Sequence, residues 1–165
     1  MTAATLAEAN LTEASLSGAE LTGTVLKAVI LADAKVAGTN VSVALPDLAT
    51  VDLSGADLTG SNLSRLNLSE ADLREAILTT TNFSGADLQE ANLSATNASR
   101  AALPTADLRS ANLANANLSY ADLSGARLAQ SNLSGATLAN ARLAGIDLRK
   151  VEPNQLKGTL AGVDP

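Results

Sequence analysis

The chain has 165 residues, 46% hydrophobic but only 1% aromatic, and a formal net charge of −6. It has no cysteine and no histidine, which excludes disulfides and thiolate chemistry and removes the commonest general base and metal ligand; the acidic balance disfavours non-specific binding to nucleic acid. At this length one domain is expected, with a core built almost wholly from Ala, Leu and Val.

The N-terminal stretch MTAATLAEANLTEASLSG has neither a basic start nor an apolar run, so no signal peptide is read and a cytoplasmic location is expected. No segment approaches the ~18 apolar residues of a membrane span, so no membrane partner is expected. A large apolar residue then recurs every fifth position, at Leu6, Leu11, Leu16, Leu21, Leu26, Leu31, Val36 and Val41. The beat slips by two residues, Ala44 and Leu45, and resumes at Leu48 to run every five residues to Leu148. The two frames cover 4–43 and 46–150 and hold 8 + 21 = 29 repeats. The tail, 151–165, abandons the rhythm. Its Pro153 and Gly158 suit the start and end of one helical turn, which would lay Leu156 and Leu160 over the last repeats as a cap.

The repeat is sharply partitioned. Calling the large apolar residue the centre, Ala occupies the slot two residues before it in 18 of 29 repeats, and no charge falls on either slot. These two positions point inward and the other three outward. A helix would let a five-residue period drift around its circumference. A continuous strand would send successive leucines to opposite faces, since five is odd. The chain must therefore turn a corner in every repeat. Glycine sits two residues after the centre in nine repeats, Gly18, Gly55 and Gly125 among them, where a turn needs a permissive backbone.

The run SGADLTGSNLSRLNLSEADLREAIL resembles the pentapeptide-repeat proteins, whose motif is A(D/N)LXX; Leu-rich members are abundant in cyanobacteria. The resemblance implies an all-β fold, a right-handed quadrilateral β-helix with four repeats per coil, here about seven coils in a single domain over 1–165 with a short C-terminal cap. It also places the 44–45 insertion at a coil boundary, as a bulge with Pro46 taking an inward slot.

With four repeats per coil, residues 20 apart stack. The most charged column then holds Asp47, Asn67, Asp87, Asp107, Arg127 and Asp147, flanked by Glu70 and Glu90. Asp47, Glu70, Asp87, Glu90, Asp107 and Asp147 form the candidate interaction face. Stacked Asp87 and Asp107 have the spacing of a retaining-glycosidase pair, but a flat face offers no cleft to separate their pKa values, and a solvated ladder relieved by Arg127 is the preferred reading. Inside, Phe83 and Ala98 break the leucine rule on adjacent faces of successive coils, which reads as volume compensation. At the N-terminal end the first coil, Leu6, Leu11, Leu16 and Leu21, has no comparable cap; homodimerisation or pairing with a partner through that end is expected.

No catalytic, cofactor or metal residue is found, so the chain is read as no enzyme and as needing no cofactor. The expectation is a non-catalytic, rigid interaction or regulatory scaffold for a protein partner the sequence does not name. The alternative is a DNA mimic that binds DNA gyrase or another topoisomerase, as quinolone-resistance members of the family do. Against it, Phe centres are confined to Phe83, and Arg109, Arg127, Arg142 and Arg149 interrupt the acidic stripe.

Overall fold

The computed structural model describes residues 6, 8–19, 29–39, 48–146 and 151. Ala44, Leu45, Pro46, Asp47, Asp147, Leu21 and the cap residues after Val151 lie outside them.

Each repeat is a short extended piece and a turn. The inward Ala and the centre Leu are buried on either side of an outward residue that makes a single parallel bridge to the next coil, as in Asp52↔Asp72↔Asn92↔Asn112↔Asn132. Four such columns run side by side: from Asn67 to Arg127, from Asn10 to Asn132, from Ser15 to Thr137 and from Asn62 to Arg142. Every bridge among the described residues is isolated. The expected β-class therefore takes the form of one-residue bridges, with no extended strand among those residues. The reason is the turn: it claims two of the five residues, so a bridge has no room to propagate.

The two-residue slip is visible as a change of register. Bridged partners lie 20 residues apart at Asn10↔Ile30 and Asp52↔Asp72, but 22 apart at Ile30↔Asp52 and Lys35↔Asp57. The extra residues are absorbed between Thr39 and Leu48, and the coils on both sides keep their pairing.

Backbone hydrogen bonds account for four of the five amides in a repeat. In the repeat centred on Leu88, Asp87 N–H donates to the preceding coil at Leu66, Leu88 and Glu90 donate to the following coil at Asp107 and Arg109, and Ala91 closes the turn onto the Leu88 carbonyl. The residue before the closing amide is left-handed in every described repeat, the arrangement of a type II turn. Glycine fills that place at eight described positions, but Asp, Glu, Arg, Thr, Gln, Asn, Ala, Ser and Tyr take it elsewhere at φ between 56° and 64°. The inter-coil bond of the turn amide holds these residues in a conformation that a Cβ disfavours. Ala95, at φ 57°, is a clean place to measure the strain. Ala95→Gly is expected to stabilise by about 0.5–1 kcal/mol, with relief of Cβ strain outweighing the extra freedom of the unfolded chain, seen as a higher denaturant midpoint.

The core is a stack of Leu and Ala with Phe83 fully buried and Ala98 at 2% exposure. Where a hydroxyl replaces the inward Ala it bonds a turn carbonyl: Thr39 and Ser61 both donate to the Val36 carbonyl, Thr81 to that of Leu58, and Ser131 to that of Leu128. No buried side-chain N or O among the described residues lacks a partner.

Candidate interaction face

The outward residue before each centre has a local task that decides what its charge is free to do. The fifth amide of the repeat, just after the centre, has no backbone partner. Among the described residues it donates instead, in fifteen repeats, to the Oδ1 of the Asp or Asn two residues earlier, as Ser54 does to Asp52 and Ser124 to Asp122 at 3.0 Å. This is an Asx turn, and it explains why the slot prefers Asp and Asn over other polar residues. Ala102 cannot accept such a bond, and the residue that would need it is Pro104, which has no N–H.

The structure stacks Asp87 directly on Asp107, and Asp107 on Arg127, as bridged neighbours. Glu70 and Glu90 sit at left-handed turn positions beside them, one coil apart. Asp87 accepts from the Gln89 backbone at 3.1 Å and from the Gln89 side chain at 3.0 Å. Asp107 is clamped by Arg109 through Nε at 2.8 Å and Nη2 at 2.7 Å, and takes a further bond from Arg127 Nη1 at 3.0 Å. These carboxylates close turns and anchor guanidinium groups. A glycosidase-type pair needs one carboxyl raised into the neutral range; the Arg109 hydrogen bond holds Asp107 below the usual carboxylate value.

Asp72 is lowered in the same way by its Arg74 partner, and Asp122 by the hydroxyl and backbone of Ser124. A carboxylate whose folded pKa is depressed contributes stability that is complete above its unfolded value and is lost as pH falls through the folded one. The protein is therefore expected to lose stability below the ordinary Asp value of 3.8. Arg109→Gln is expected to flatten that slope, measurable as urea midpoints from about pH 2 to 6. These groups are partly solvent-exposed, so the effect is modest.

Amide ladders run beside the charges. Asn132 donates to Asn112, and Asn112 to Asn92, each at 3.1 Å. On another corner the Arg100 guanidinium lies over the Tyr120 ring at 5.8 Å. Tyr120 reads as a lone exposed aromatic in the sequence; the 20-residue spacing to Arg100 is the signal that pairs them.

At the N-terminal end, Leu6, Leu11 and Leu16 are half-buried and pack against the core, whereas centres from Leu48 to Leu138 are at most 3% exposed. Asn10 and Ser15 are bridged to the following coil only among the described residues. No helix among the described residues is long and apolar enough to cross a membrane.

The repeating Ala–Asx–Leu unit, its Asx-capped turn and its four stacked columns coincide with the match of the pentapeptide repeat model in eight copies, over 3–42, 52–89, 86–119 and 116–151. The chain belongs to the pentapeptide repeat family. As a pentapeptide repeat protein it is similar to HetL from the cyanobacterium Nostoc sp. strain PCC 7120, a protein involved in heterocyst differentiation regulation, with 29% identity over 96% of this chain and 90% of that one and a TM-score of 0.66. A pentapeptide repeat protein of the Arabidopsis thaliana thylakoid lumen shares 31% identity over 68% of this chain and 78% of its own, with a TM-score of 0.64. QnrB1, a plasmid-mediated fluoroquinolone resistance protein, is 19% identical over 97% and 83% of the two chains, with a TM-score of 0.31. No curated protein sequence matches the chain.

Proposed function

We propose that this pentapeptide repeat protein is a non-catalytic, rigid solenoid that serves as an interaction or regulatory scaffold for a protein partner. In this reading the whole chain is one right-handed quadrilateral β-helix of about seven coils, working in the cytoplasm and needing no cofactor. The observation that carries it is the commitment of the outward carboxylates and amides to their own turns: Asp72, Asp87, Asp107 and Asp122 each cap a backbone amide. What remains for a partner is a flat, rigid surface on which side chains at turn positions, Glu70 and Glu90 foremost, project at fixed intervals. The likeness to HetL over nearly all of both chains supports a regulatory role of this kind.

The gyrase-binding alternative finds less support. Arg74, Arg109, Arg127 and Arg142 each pair with an Asp on the outer faces, so the carboxylates do not form an unbroken anionic stripe.

The test is affinity capture from cells of the source organism with the wild-type chain and with Glu70→Arg plus Glu90→Arg. Those positions carry no Asx cap, so the pair changes charge without uncapping a turn. A partner held by the wild type and lost with the double variant is the expected result. A partner held equally by both moves the interface to another face, and the absence of any specific partner overturns the scaffold reading. Inhibition of gyrase supercoiling at low micromolar protein would establish the alternative.

A further inference from the structure

A hollow opens at the corner between two faces near Arg127. Gly125 and Gly145 stack there one coil apart, and a Cβ on Gly145 would lie in ordinary contact with the Gly125 backbone, at 3.8 Å. The hollow measures about 350 Å³ and is lined by Arg109, Arg127, Ala129 and the two glycines among others. That volume is at the small end of ligand sites.

Three groups of donors belong to residues that line it. Arg127 occupies the slot that elsewhere holds Asp or Asn, and a guanidinium cannot accept; the Ala129 amide therefore has no Asx cap. Amides at Ala32, Ala37, Thr79, Ala139 and Ala144 follow non-Asx residues too, but none of them lines this hollow. Arg127 is 59% exposed, and among the described residues its guanidinium, with five N–H donors, bonds Asp107 at 3.0 Å. Arg109 is held rigidly against the same Asp107 through Nε and Nη2, which orients the rest of its planar fork.

We infer that this hollow is an oxyanion site for a small ligand carrying a phosphoryl group, bound by the Arg127 and Arg109 guanidiniums and the uncapped Ala129 amide. Planar guanidinium forks match phosphate oxygens in geometry, and charge-assisted hydrogen bonds are the strong ones. The side-chain-free corner lets the group approach the backbone. Arg127 turns from Asp107 onto the ligand, while Asp107 keeps Arg109.

The experiment is a titration of the ¹⁵N-labelled full chain, at constant ionic strength, with inorganic phosphate in one arm and phosphoserine in the other, and with chloride as control. A saturable shift of the Ala129 amide is expected with both phosphoryl probes and not with chloride. Tighter binding of phosphoserine would mark a phosphate monoester as the natural class; equal binding would mark free phosphate. Arg127→Asn restores an Asx cap and so keeps the turn, yet is expected to weaken binding at least about tenfold. Arg109→Gln, which leaves every backbone bond in place, is expected to weaken it as well. Arg142→Asn, outside the hollow, is expected to change nothing. No saturable shift with either probe, or Arg127→Asn binding as tightly as the wild type, overturns the inference.

Discussion

Phe83→Ala is expected to cost about 3–5 kcal/mol, among the largest effects of a single substitution in this chain. Phe83 is fully buried, and in its column the centres one coil away on either side are Leu63 and Leu103, also buried. Neighbouring coils are tied to its own by backbone bonds such as Phe83 N–H to the Ala102 carbonyl at 2.7 Å. They cannot collapse into the void without breaking register, so most of the cavity persists. The denaturant midpoint measures the loss. A second arm tests whether Phe83 compensates for the small centre at Ala98. Phe83→Leu and Ala98→Leu singly are each expected to destabilise, by about 1 and about 1–3 kcal/mol. The double variant, which restores Leu at both sites, is expected to cost less than their sum by at least about 0.5 kcal/mol. Strict additivity would mean that the two residues do not share volume.

Asn112→Leu is expected to cost about 1–3 kcal/mol although Asn112 lies on the outside. Its Oδ1 takes the Ala114 amide at 3.2 Å and the Asn132 side chain at 3.1 Å, and its Nδ2 donates to Asn92. Leucine removes all three bonds and leaves the Ala114 amide uncapped in a half-buried turn. Asn112→Asp keeps both acceptor roles and loses only the donation to Asn92. It is expected to cost less than the Leu variant by about 1 kcal/mol. Equal losses for Leu and Asp would place the stabilising interaction in the ladder rather than in the turn cap. Thermal or urea unfolding of the three proteins side by side resolves the difference.

Much of the fold was legible because the five-residue period is a direct image of the backbone. The two charge-free slots in each repeat are the buried ones, from Ala34 and Val36 to Ala141 and Leu143, since a charge cannot be desolvated in so narrow a core. A two-residue slip between the frames was legible too, and the spacing of bridged residues steps from 20 to 22 across it; Ala44 and Leu45 themselves lie outside the described residues. The role of the outward slot was not read, although its signal was present. Asp87 and Asp107 look like free charges along a column, but an Asx side chain reaches the amide two residues on, and that bond forms only once the turn has the shape the neighbouring coils impose. Leu6, Leu11 and Leu16 are less covered than later centres, while Leu21, Asp47 and Asp147 lie outside the described residues.

What the sequence by itself determined is the alternation of inward and outward positions and the corner in every repeat. Those follow from hydrophobic burial and from the mismatch of five with helical and strand periods. Which residues stack came from the four-repeat coil that the family resemblance implies. Only the tertiary structure decided that every described turn is left-handed whatever residue fills it. Inter-coil hydrogen bonds set that angle, and nothing in the identity of Glu90 or Tyr120 announces it. The tertiary structure also decided which charges are free. Asp107 is shared between Arg109 in its own repeat and Arg127 one coil away, and a hollow lined by both arginines lies beside them. Such arrangements depend on side-chain reach across a coil spacing of about 4.8 Å, and a one-dimensional pattern does not encode that distance.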